Sequence, residues 1–179
     1  MLLEKLYFKA VKKRFEESKK LGDETLERIS NSDIHWQPNE ESNNIAIIVK
    51  HISGNMISRW TEFLTTDGEK PNRHRDQEFE DTISSVEELS AVWEKGWEQV
   101  FETLNSLQAE DLVKTVYIRG EEHNVIEAIE RQIAHVSYHV GQIVYIGKVL
   151  KGKEWESLSI PIGKSEEYLQ ELISKNNSK

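Results

Sequence analysis

The sequence predicts an all-α protein, a four-helix bundle with crossover loops and a short C-terminal helix, in a single domain over residues 1–179. Three observations carry that expectation. Four long segments repeat apolar residues every three or four positions, the period of a helix with one buried face. The prolines, Pro38, Pro71 and Pro161, all fall between those segments, where they interrupt no helix. No unit of about 20 to 50 residues recurs, which argues against a repeat solenoid.

The first helix is expected from about Leu2 to Leu21, with Leu3, Leu6, Ala10 and Val11 on its inner face and Gly22 as terminator. A short helix over Glu24 to Ile29 leads into an irregular stretch through Trp36 and Pro38. The second long helix, about Ser42 to Leu64, carries Ile45, Ile48, Val49, Ile52, Met56, Trp60 and Phe63 as its stripe. A polar loop from Thr65 to about Thr82 follows. Ser84-Ser85-Val86-Glu87-Glu88 offers a capping box for the third helix, whose stripe is Val86, Leu89, Trp93, Trp97, Val100 and Leu104. Val113 to His123 reads as an extended connection with a strand turn. Asn124 caps the fourth helix, with Glu127 reaching back to it, and that helix runs to Leu150. An extended tail, Trp155 to Pro161, precedes a terminal helix capped by Ser165.

Composition narrows the function classes. A net charge of −9 argues against nucleic acid or an anionic membrane as partner, because phosphates need clustered Lys and Arg. The absence of Cys removes disulfides, a Cys nucleophile and thiolate ligands, so any metal must be held by His, Asp or Glu. Glu4, Lys5 and Lys9 break any apolar N-terminal run, and the apolar stretch Ile45 to Val49 is far too short for a bilayer. A cytoplasmic protein is the expectation.

His135 and His139 point to chemistry. Four residues apart on a helix, they are separated by about 6 Å of rise and about 40° of rotation, so two imidazoles can take one metal ion. On the fourth helix, Ile126, Ile129, Ile133, Val136, Val140 and Ile143 form the core stripe. Gln132, His135, His139 and Gln142 run along its edge. The second helix repeats the arrangement, with His51 flanking Ile52 and Asn55, Ser58 and Glu62 continuing that flank. If the two helices are neighbours, three imidazoles meet near one end of the core. Three His plus an open position is the arrangement of a catalytic type of divalent metal centre. A single His beside a core stripe is more often a boundary residue; it is the convergence that carries weight. His35, His74 and His123 lack such placement. The His-Glu-x-x-His and Glu-x-x-His helices, phosphate loops and Gly-x-Ser-x-Gly elbows are missing.

The stretches Ile47 to Trp60, Ala134 to Gln142 and Leu158 to Pro161 together resemble the DinB-like (YfiT-like) metalloprotein superfamily, and more closely a Bacillus-type branch of unknown function. The resemblance implies an up-down-down-up bundle holding a divalent metal, often nickel or zinc, through His51, His135 and His139. Characterised members of that superfamily include bacillithiol S-transferases and a mycothiol-dependent maleylpyruvate isomerase. The expectation is therefore a metal-dependent transferase acting on small electrophiles with a low-molecular-weight thiol, which must come from a cosubstrate in a chain without Cys. Asn55, Arg59, Gln132 and Gln142 are the candidate cofactor- or substrate-binding residues, Arg59 being equally suited to a plain interhelical ion pair. Metal-dependent hydrolysis and a noncatalytic, stress-related metal- or ligand-binding role are the alternatives. Ala134, Tyr138, Gly141 and Tyr145 lie away from the core stripe, where they suit either a homodimer contact or packing against the Trp155 to Pro161 tail.

Overall fold

The computed structural model describes residues 2–177 of the chain, and among them the fold is mostly helical, with five α-helices and one two-stranded sheet. Helix α1 (Leu2–Leu26), α2 (Ile45–Trp60), α3 (Val86–Ser106) and α4 (Val125–Lys151) enclose the core; α5 (Ser165–Asn177) buries no residue.

Capping residues set the starts. Asn44 accepts from the Ile47 amide to open α2, and Ser85 accepts from the Glu88 amide to open α3. Asn124 and Glu127 form the expected reciprocal box at the start of α4. The expected stripes of α2 and α3 are buried apart from the half-buried Val86. On α4, Ile129, Val136, Val140 and Ile143 are buried, while Ile126 is partly exposed.

Three expectations fail. Gly22 does not end α1: the helix runs through it to Leu26, and the glycine serves instead to leave room for Trp93, whose ring would lie 2.3 Å from a Cβ at that position. The inner face is also different, since Val11, Phe15 and Leu26 are buried while Leu3, Leu6 and Ala10 are exposed. Helix α2 is shorter than its periodicity suggests. It stops at Trp60, and Glu62 adopts a left-handed φ of 48°. The following loop is fastened back onto its last turns, with Ser58 Oγ donating to the Gly68 carbonyl and accepting from the Lys70 amide.

Helix pairs share directions. Ser53 of α2 donates to the Val92 carbonyl and Thr103 of α3 donates to the Trp60 carbonyl, so α2 and α3 run the same way. Tyr7 of α1 bonds Glu130, while a Cβ on Gly147 of α4 would meet Thr25, so α1 and α4 also run together. The extended connection is a hairpin, β1 (Thr115–Ile118) paired antiparallel with β2 (Glu121–Asn124). Its turn, Arg119 and Gly120, has φ of 58° and 76°, the geometry of a two-residue turn with both central residues left-handed. Asp67 fixes that turn by accepting from both amides. The turn and the loop after α2 thus cover one end of the α2–α4 seam. No helix among the described residues is long and apolar enough to cross a membrane.

Candidate metal centre

Helices α2 and α4 pack side by side and bring His51, His135 and His139 together. One ligand nitrogen from each lies within 4.8 Å of the other two. The ring centroids are 4.7 to 5.3 Å apart, and His51 Nε2 is 3.3 Å from His135 Nε2. His51 and His139 are buried and His135 is half-buried.

Hydrogen bonds behind two of the rings fix their tautomers. His51 Nδ1 donates to Glu78 Oε2 at 3.0 Å, and His139 Nδ1 donates to Gln142 Oε1 at 2.8 Å, since a carboxylate and an amide oxygen can only accept. Both rings therefore turn an Nε2 lone pair toward the centre, the form that ligates a metal. Glu78 is itself held from behind, accepting from Arg73 Nε at 2.7 Å and from Arg73 Nη2 at 2.8 Å. Burial opposes the charge on Glu78, yet the hydrogen bonds from Arg73 and His51 hold its carboxyl below the ordinary range. Burial, then the neighbouring His139 and His51, pushes the His135 imidazole down to about 3, and burial lowers His139 as well. Neutral imidazoles with converging lone pairs are what a divalent ion requires, so the donor set fits such an ion.

The cluster opens into a cavity of about 260 Å³ lined by Asn55, Arg59, Gln132, the hairpin and the loop after α2. Asn55, Arg59 and Gln132 are thus beside the cluster, whereas Gln142 stands behind His139 and orients it. His35 instead bonds Asp81, and His74 and His123 lie outside the cluster. Tyr138 and Tyr145 are 64% and 69% exposed, while Trp155 packs beside Gly147 and Arg28.

Sequence reasoning missed Arg73 and Glu78. They sit in the loop after α2, at and before the short 3-10 turn Arg75–Phe79, and reach His51 only because the loop folds back along α2. Gly54 permits this approach, since a Cβ there would lie 2.5 Å from Glu78 Oε1. The available signal was weak: an Arg and a Glu five residues apart in a polar loop, beside the aromatic Phe79, whose ring lies tilted against His51 with centroids 4.9 Å apart.

The fold and the site together define a mostly helical protein whose three histidines could hold a metal ion. Residues 3–164 match a family model described as Protein of unknown function (DUF1572), and the chain belongs to that family. No curated protein and no solved structure matches it.

Proposed function

We propose that the protein is a DinB-like, up-down-down-up four-helix bundle that uses nickel or zinc on His51, His135 and His139 to transfer a low-molecular-weight, bacillithiol-like thiol to small electrophiles. The shared directions of α2 with α3 and of α1 with α4 support that topology. The observation that carries the function is the set of three imidazole nitrogens within 4.8 Å, at the edge of a cavity. When bound there, a divalent ion supplies Lewis acidity that favours a thiolate near neutral pH. The chain's own groups do the rest. Glu78 and Gln142 orient two ligands, while Asn55, Arg59 and Gln132 line the space a substrate would occupy. Sulfur–carbon bond formation then expels the electrophile's leaving group with its electron pair.

Among the described residues that line the cavity there is no Asp or Glu, so hydrolysis would lack a carboxylate general base. Glu78 is occupied by Arg73 and His51. Transfer is therefore favoured over hydrolysis. The test is mass spectrometry of metal-loaded protein incubated with bacillithiol and an electrophile panel, beside metal analysis of His135→Ala/His139→Ala. Conjugates and a metal-free variant are expected. No conjugate across the panel would overturn the transferase, and equal metal in both proteins would overturn the site.

The same reading places the protein in the cytoplasm as a homodimer joined through the exposed Tyr138 and Tyr145 of α4. Sedimentation of Tyr138→Glu should show the mass halved; an unchanged mass would remove that contact.

A further inference from the structure

Seven arginines occur in the sequence, and five of them, Arg59, Arg73, Arg75, Arg119 and Arg131, line the cavity beside the histidines. No lysine lines it among the described residues, although lysines outnumber arginines in the chain. That concentration runs against a net charge of −9. We propose that the cavity binds a small organic anion, a molecule carrying a carboxylate or phosphate group, which these guanidiniums hold while its reacting part faces His51 and His135. The proposal rests on the transferase reading only for what then happens to that molecule; its binding does not require the metal.

Counter-charge inside the protein is insufficient for this wall. Arg73 is committed to Glu78 by two hydrogen bonds. Glu69 is then shared among three guanidiniums, at 3.2 Å from Arg59, 3.3 Å from Arg73 and 3.0 Å from Arg119. One carboxylate cannot satisfy three forks of donors. The consequence is visible at Arg59, where Nη1 is close enough to Glu69 for an ion pair but makes no hydrogen bond. Arg75 lies over the Phe79 ring, and Arg131 stands exposed one turn before His135.

Buried polar atoms at the same cavity are also unpaired. Asn55, Arg59 and Gln132 are 8%, 8% and 5% exposed, yet the donors Arg59 Nη1 and Gln132 Nε2 make no hydrogen bond in the protein, and neither does the acceptor Asn55 Oδ1, which would take an N–H or O–H of a ligand and not its anionic oxygens. Each such atom costs about 1–3 kcal/mol when buried unpaired. They share one wall for a simple reason. His51, Asn55 and Arg59 follow each other at four-residue steps on α2, and Gln132 lies one turn from His135 on α4. About 12 Å of helix rise separates His51 from Arg59, and an arginine side chain reaches back across part of it. A cavity of 260 Å³ lies just below the usual range for drug-sized ligands, about 300–1,000 Å³. A small metabolite therefore suits it. Arginine rather than lysine selects planar or tetrahedral oxyanions, because its paired N–H groups match two oxygens at once.

Isothermal titration calorimetry on the metal-free protein tests the proposal, with malonate and inorganic phosphate as probes and neutral malonamide as control. Both anions should bind more tightly than malonamide, and whichever binds tighter identifies the carboxylate or the phosphate class. Arg59→Gln should weaken binding about tenfold or more, as loss of a charge-assisted hydrogen bond implies. Arg131→Gln, at an exposed position, should weaken it in the same direction. The His135→Ala/His139→Ala variant should still bind the anions, which separates this site from the metal. Anions binding no better than malonamide, or both arginine variants binding like wild type, would overturn it.

Discussion

Helix α2 faces two neighbours, and it meets them in opposite ways. Against α3 the contact is closed. Gly96 brings the helices so near that a Cβ would lie 2.8 Å from the Ser53 Cα, and Ser53 Oγ donates to the Val92 carbonyl at 2.7 Å. Phe15, Trp60, Trp93 and Trp97 fill the space beyond, meeting largely edge to face. Against α4 the contact is open. His51, Asn55 and Arg59 look across a cavity at Gln132 and His135, with several polar atoms unpaired. Indole N–H groups are unpaired too, that of Trp97 on the closed side and that of Trp60, which also lines the cavity, but each belongs to a ring whose burial outweighs one missing hydrogen bond. One face of α2 is thus closed by packing, and the other leaves buried polar atoms unpaired beside three histidines that could hold a metal ion. Tight packing and the candidate metal site are divided between two sides of a single helix.

The largest effect should come from the closed side. Trp97→Ala removes a fully buried α3 indole that packs on Phe15 of α1, and urea denaturation should show a loss of about 3–5 kcal/mol. A loss under about 1 kcal/mol would mean that this side is not where the fold is held. Acid should act next, and on the open side. The folded pKa of His135 is lowered to about 3 from an ordinary 6.5, so the unfolded chain binds the extra proton between those values. Stability is then fully present above about 6.5 and falls as pH drops toward 3. Denaturation of the metal-free protein at pH 7, 5.5 and 4 should show that decline, and His135→Ala/His139→Ala should show a shallower one. Parallel declines would remove the histidines from the account. Glu78→Gln should do less to the fold but weaken metal binding about 10- to 100-fold, because the His51 orientation depends on that carboxylate. Competition with a chromogenic chelator measures it, and an affinity equal to wild type would leave Glu78 as loop structure alone.

The two sides were not equally legible in the sequence. The closed side is written in the 3.6-residue period of Leu89, Trp93, Trp97, Val100 and Leu104, all of them buried. Helix α1 misled most, because its inner positions include Gly22 and Thr25, while its leucines Leu3 and Leu6 are exposed. Periodicity counts apolar residues and is blind to a glycine chosen for close approach. On the open side, the helix-borne residues His51, His135, His139, Asn55, Arg59 and Gln132 could be found by turn spacing alone. Arg73, Glu78 and Arg119 could not, since loop and hairpin residues reach the site through tertiary folding that no local period records.

The smallest effects separate the two sides most sharply, because they should differ in sign. Ser53→Ala deletes a hydroxyl from the closed side and leaves the Val92 carbonyl with one bond fewer, a loss of about 1 kcal/mol. Gln132→Met keeps the shape of the side chain on the open side but removes Nε2, a buried donor without a partner. Deleting an unpaired group relieves a desolvation cost instead of breaking a bond, so metal-free stability should stay level or rise by up to about 1 kcal/mol. Paired urea titrations at one pH compare them directly. Equal losses in both variants would mean that Gln132 is already satisfied in solution, and that this flank of α2 is as complete as the other.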